Sequence, residues 1–205
     1  MEWIRLDPIV SWILRFGLAS LFATAAMHKI RDLPGFRDTL ANYQVLPRPL
    51  LIPVSVGLVI FEVAIAVDLV TGLISRNTEG ILRSAFGGHA ANVGGSSPWA
   101  GATASALLVV YGLAIAINLL RGRNEIDCGC LGPTARQPLS AWLLVRNGLL
   151  ASGAALTSLP LSERSLHVVD GITLIGGLII LSLLYYTASL LASTASRSPG
   201  REGLP

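Results

Sequence analysis

The chain has 205 residues, 52% of them hydrophobic and only 13% charged, with a formal net charge of +3. Soluble domains carry about twice that charged fraction, so the composition, with a mean hydropathy of +0.64, excludes a soluble enzyme and points to an integral membrane protein. The 15 basic residues, among which Lys29 is the only lysine, fall between apolar runs without interleaved aromatics, and this excludes a nucleic-acid surface.

Five runs approach the roughly 20 apolar residues that cross a bilayer, at 8–27, 50–74, 101–120, 139–159 and 169–192. They predict an all-α polytopic membrane bundle of about five transmembrane helices, forming a single domain over 1–193 with a disordered polar tail at 194–205. The first run could be taken for a secretory signal, since Ala23-Thr24-Ala25 resembles a cleavage site. Its start is not net basic and Arg15 interrupts its apolar core, so a retained helix is the better reading.

His28-Lys29-Ile30-Arg31-Asp32 then reads as a polar stop at the water interface. Between the breakers Pro34-Gly35 and Pro47-Arg48-Pro49, Phe36, Leu40 and Tyr43 recur at helical spacing opposite Arg37, Asp38 and Asn42. That pattern predicts a short amphipathic helix on the membrane surface, either a plain connector or a lid.

The second span carries Glu62 and Asp68 in an apolar run, where acidic groups are costly and normally face a partner or a cavity. Counting about 1.5 Å per residue from the helix ends puts Asp68 level with Arg15, and Glu62 within reach of Arg146 in the fourth span. Arg15–Asp68 and Glu62–Arg146 are therefore the expected buried pairs, with a proton-relay role as the alternative for Glu62. The Gly- and Ser-rich stretch 75–98 is expected to be a flexible loop, and its His89 a solvated residue.

Between the third and fourth spans lies Asn124-Glu125-Ile126-Asp127-Cys128-Gly129-Cys130-Leu131-Gly132-Pro133, which holds both cysteines of the protein. A Cys-Gly-Cys pair closes only a ring of about eleven atoms, and the glycine lets the sulfurs approach disulfide geometry. Strained, exposed disulfides are the oxidising and catalytic ones, whereas structural bridges close longer loops. Two other readings stay open: two free thiols, and a two-thiolate site for Cu(I) or zinc, against which the nearest histidine, His89, is separated by a whole span. Asp127 raises the thiol pKa while Arg121, Arg123 and Arg136 lower it, and the sequence does not decide between them. Trp142 is an interfacial anchor, and Gly148, Ser152, Gly153 and Ala154 allow close packing of the fourth span. No Walker loop, dinucleotide fingerprint or zinc-protease helix occurs, so no motif calls for a cofactor.

With these residues laid out, the chain resembles the MauE family of methylamine-utilisation membrane proteins, themselves distantly similar to DoxX-like four-helix proteins. The resemblance rests on His28-Lys29-Ile30-Arg31-Asp32 with Gly35-Phe36-Arg37, on Tyr43-Gln44-Val45-Leu46-Pro47, on Glu62, on Cys128-Gly129-Cys130-Leu131-Gly132 and on Arg146-Asn147. It covers nearly the whole chain. It departs from the expected pattern at Leu131, where phenylalanine is common, and in the long 75–98 stretch. The resemblance implies a four-helix DoxX-like core in the cytoplasmic membrane. It also implies a role in maturing methylamine dehydrogenase, whose small subunit is rich in disulfides. A thioredoxin-like partner, MauD, is implied beside the small subunit.

Cys128 and Cys130 would then form a thiol–disulfide pair that donates or reshuffles disulfides, with a quinone as one candidate electron acceptor. A non-redox scaffold for the subunit and its partner is the alternative of a different class. The charges pull the other way on orientation. Lys29, Arg31, Arg37, Arg48, Arg121, Arg123, Arg136, Arg197 and Arg201 share the cysteine side, against Arg5, Arg76, Arg83 and Arg164. The positive-inside rule would put that side in the reducing cytoplasm. The substrate implied by the resemblance favours the periplasmic face, and that is the expectation adopted.

Overall fold

The structure is a computed structural model that describes residues 5–86, 99–123, 126, 139–160 and 168–195. Its elements are the helices α1 (Pro8–Arg31), α2 (Leu33–Asn42), a 3-10 turn η1 (Arg48–Leu50), α3 (Leu51–Phe86), α4 (Ala100–Leu120), α5 (Ala141–Leu156) and α6 (Val168–Ala195). The expected all-α membrane bundle is what forms, because helices satisfy every backbone polar group internally where lipid offers no partner.

Local chemistry sets the boundaries. Asp7 caps α1 by accepting from Ile9 N at 2.8 Å, with Pro8 at the first helical position. Asp32 ends α1 and also starts α2, its carboxylate accepting from Gly35 N at 3.0 Å. A Cβ on Gly35 would lie 2.2 Å from that carboxylate, so the tight corner requires glycine. At the far end of α4, Gly122 adopts φ +71°, while Arg123 N donates to Asn118 O and Gly122 N to Leu119 O. This paired left-handed cap stops the helix beside the cysteine segment.

Among the described residues, four helices are long and apolar enough to cross a membrane: α1, the first part of α3, α4 and α6. The expected span at 139–159 is a helix of only 16 residues, α5. At 1.5 Å per residue it is about 24 Å long, short of a hydrocarbon core of about 30 Å. The expected loop at 75–98 also needs correction, because α3 continues as helix through Phe86. Residues 75–86 contain no proline, and the glycine-rich run begins only at Gly87. His89 lies outside the described residues. The proposed tail likewise begins inside α6, which reaches Ala195, and the rest of it lies outside the described residues.

α1 packs against α3, and α4 against α5. Leu18, Ala19 and Phe22 of α1 meet Ile65, Ala66 and Leu69 of α3, then Ala104, Leu107 and Leu108 of α4, and Ala151 and Ala154 of α5. α6 touches mainly α1, where Gly177 lies against Ile13. Lipid tails are as apolar as these side chains, so helix association depends on close approach and buried polar contacts rather than on expulsion of water.

Among the described glycines, the closest approach between two helices is at Gly101 of α4. A Cβ there would lie 2.3 Å from Thr157 Oγ1 and 2.6 Å from the carbonyl of Ala154, in the last turn of α5. Gly101→Ala is therefore expected to lower stability by about 1–3 kcal/mol. Gly148→Ala, facing open space on α5, should be neutral or stabilising by up to about 1 kcal/mol. Thermal unfolding of the two variants in detergent micelles checks this; equal midpoints would contradict the packing described.

Candidate functional site

Three helices each send one polar side chain to the same buried point. Ser55, Val59, Glu62, Ala66 and Leu69 recur every three or four residues along α3, all buried, and so place Glu62 on the inward face. Leu18, Phe22, Ala26 and Lys29 do the same along α1, as do Ala104, Leu108, Ile115 and Asn118 along α4, with Tyr111 in register. Lys29 is only 5% exposed and Glu62 is fully enclosed.

Lys29 and Glu62 form a salt bridge. The ammonium of Lys29 also donates to Tyr111 Oη at 3.2 Å, and that hydroxyl donates to Glu62 Oε1 at 2.6 Å. Lys29 Nζ sits 4.8 Å from the ring centroid of Phe36 and 5.0 Å from that of Tyr111. The cation is thus enclosed by one carboxylate, one hydroxyl and two aromatic faces, which replace its hydration. Glu62 Oε2 is buried and accepts no hydrogen bond among the described residues.

The expected pairs are redistributed. Glu62 is buried as anticipated, but its partner is Lys29 rather than Arg146. Arg146, also buried, donates from Nη1 to Tyr185 Oη of α6 at 3.4 Å. Arg15 does not join Asp68; its Nη2 donates to Thr157 O at 3.0 Å, at the end of α5. The depth count gave no information on which neighbour that side of α1 faces. The polar stop at 28–32 likewise lies partly inside the bundle, because α2 folds over the end of α1 and encloses Lys29. Lys29 and Tyr111 are the site residues that sequence reasoning missed. The signal was there: Lys29 is the only lysine and continues the stripe of Leu18, Phe22 and Ala26.

Cys128 and Cys130 lie outside the described residues. Their segment is bracketed by Ile126 and Leu139, which are joined backbone to backbone, Leu139 N donating to Ile126 O at 3.0 Å. Ile126 packs on a small core of Tyr43, Ile115, Leu139 and Leu143, to which the amphipathic stretch contributes Tyr43. The two flanks of the cysteine segment therefore share one base, on the end of the bundle where α2 closes over Lys29. Among the described residues no three His, Cys, Asp or Glu side chains are grouped to hold a metal ion. Ammonium, carboxylate and phenol can hold and pass protons; two-electron exchange at neutral pH needs the thiols.

Comparison with known proteins gives a consistent result. Residues 7–160 match the family described as Methylamine utilisation protein MauE. The chain is 35% identical over 195 residues to Methylamine utilization protein MauE of Paracoccus denitrificans, covering 93% of this chain and 91% of the relative. It is 34% identical over 201 residues to that of Paracoccus versutus, covering 97% and 96%. Against that of Methylophilus methylotrophus it is 28% identical over 194 residues, covering 93% and 90%. No solved structure gives a significant match.

Removing one member of a buried ion pair strands the other charge. Lys29→Ala and Glu62→Ala are each expected to destabilise by about 3–5 kcal/mol, while the double variant Lys29→Met with Glu62→Leu regains most of the loss. Unfolding midpoints in detergent, together with protein level in the membrane, measure both. A double variant as unstable as the sum of the singles would contradict the pairing.

Proposed function

The chain belongs to the MauE family of methylamine utilisation proteins, and from that membership we propose that it is a membrane accessory protein for maturation of methylamine dehydrogenase. Its role is to support disulfide formation or isomerisation in the small subunit through Cys128 and Cys130. The observation that carries this reading is the Cys128-Gly129-Cys130 pair itself. It contains the only two thiols of the chain, in a segment whose flanks are joined at one end of a membrane bundle.

The step is a balanced exchange. A client thiolate attacks one sulfur of the Cys128–Cys130 disulfide, forming a mixed disulfide and releasing the other sulfur as a thiolate, which takes up a proton. A second client thiolate then breaks the mixed disulfide, giving the client disulfide and the reduced Cys128/Cys130 dithiol. Two electrons have passed to this protein. A disulfide of the thioredoxin-like partner, MauD, or a quinone in the bilayer takes them up to restore the pair. The pair faces the periplasm of the cytoplasmic membrane, where client disulfides persist. The Lys29–Glu62–Tyr111 cluster has a positioning role: it fixes α1, α3 and α4 at the end of the bundle from which the cysteine segment leaves.

Cys128→Ser or Cys130→Ser should abolish accumulation of the mature small subunit while leaving the membrane protein at its normal level. Immunoblots of the membrane and periplasmic fractions from cells grown on methylamine read both. Normal maturation with both cysteines replaced would overturn the thiol reading in favour of a scaffold that holds the subunit and its partner.

A further inference from the structure

After α2 the chain turns sharply at Gln44, whose φ of 50° lies in the left-handed region, and returns through η1 to the start of α3. The turn opens a cleft of about 590 Å³. Arg37 and Arg48 line it with Asn42 and Gln44, Leu46, Leu51 and Ile52 form apolar wall, and among the described residues no carboxylate lines it. Arg121 and Arg123 reach the same turn from the end of α4, each 3.5 Å from a carbonyl, those of Gln44 and Asn42. Contacts that long leave most of the five donors of each guanidinium available. Two guanidinium groups therefore line the opening, and two more are held at the carbonyls of the turn that borders it.

The level of the cleft is fixed by the candidate membrane span that η1 and the first part of α3 make together, which starts at Arg48. Directly below it Ile52, Val56, Ile60, Val63 and Val67 form one stripe, exposed by 60%, 39%, 64%, 40% and 55%. A cationic, amide-lined recess at the head of an exposed aliphatic stripe is complementary to an anionic head joined to hydrocarbon chains.

We propose that the cleft between α2, the Gln44 turn and the start of α3 is a binding site for an anionic phospholipid. Arg37 and Arg48 hold the phosphate, Asn42 and Gln44 accept or donate to the rest of the headgroup, and an acyl chain lies along Ile52, Val56 and Ile60. Occupancy pins α2, and with it Phe36 over Lys29 and Tyr43 against the base of the cysteine segment.

The test uses the full chain, stripped of lipid in detergent and titrated with phosphatidylglycerol, phosphatidylcholine or inorganic phosphate, with retention read by native mass spectrometry. Phosphatidylglycerol should bind at least roughly tenfold more tightly than phosphatidylcholine. Arg37→Gln with Arg48→Gln should remove that preference, while Arg31→Gln, an exposed arginine outside the cleft, should keep it. All three side chains are exposed, and unfolding midpoints of the variants confirm that they fold. Equal retention of the two lipids, or a preference that survives the double substitution, overturns the proposal. Displacement of phosphatidylglycerol by millimolar inorganic phosphate overturns the lipid assignment and leaves a free-phosphate site.

Discussion

An ammonium or a carboxylate placed singly in the hydrocarbon core costs several kcal/mol even after relaxation, so Lys29 and Glu62 constrain how α1 can sit on α3. The two helices must bring these groups together, and Tyr111 must approach from α4 to complete the shell. Near the other end of α1, Arg15 donates to the carbonyl of Thr157 and so ties α1 to the end of α5. Fourteen residues separate Arg15 from Lys29, about 21 Å along the helix. The bundle is thus fixed at two levels by polar contacts that lipid cannot replace. Between those levels lies the packed core of Leu18, Phe22, Leu69 and Leu108.

This arrangement decides what the end of the bundle can do. α2 is drawn over the end of α1 by the Asp32 cap, by Phe36 above the Lys29 ammonium and by Tyr43 in the core that also holds Leu139 and Leu143. The segment carrying the thiols leaves and re-enters the bundle beside that core. In the function proposed above, a thiol pair that meets a protein client needs a steady base, and the buried cluster at this end of the bundle is suited to supply it. The sequence-based count of arginines on the cysteine side sets the positive-inside rule against the proposed periplasmic pair.

Much of this was legible in the sequence. Apolar runs gave the helices, Phe36, Leu40 and Tyr43 gave the amphipathic segment, and the family motifs gave the membership that the comparisons bear out. Glu62 and Arg146 were read as buried, and they are. Their partners were not legible, because a depth count assumes that all helices end at the same level. α1 does not: it ends under α2, so Lys29 reads as an interfacial stop in sequence and is an interior cation in the structure. Tyr111 was hidden for a different reason, since a tyrosine on an apolar stripe carries no mark of what its hydroxyl will meet. The length of α3 was misread because composition changes sharply only at Gly87, well beyond the end of its apolar run.

The central claim is an oxidised Cys128–Cys130 pair acting at the periplasmic face. Labelling these thiols in intact cells with a membrane-impermeant reagent, with and without prior reduction, and counting the label by gel shift tests it most directly. Label only after reduction is the expected result. Protection in intact cells, with full reaction after lysis and no need for a reductant, would contradict it and place reduced thiols in the cytoplasm.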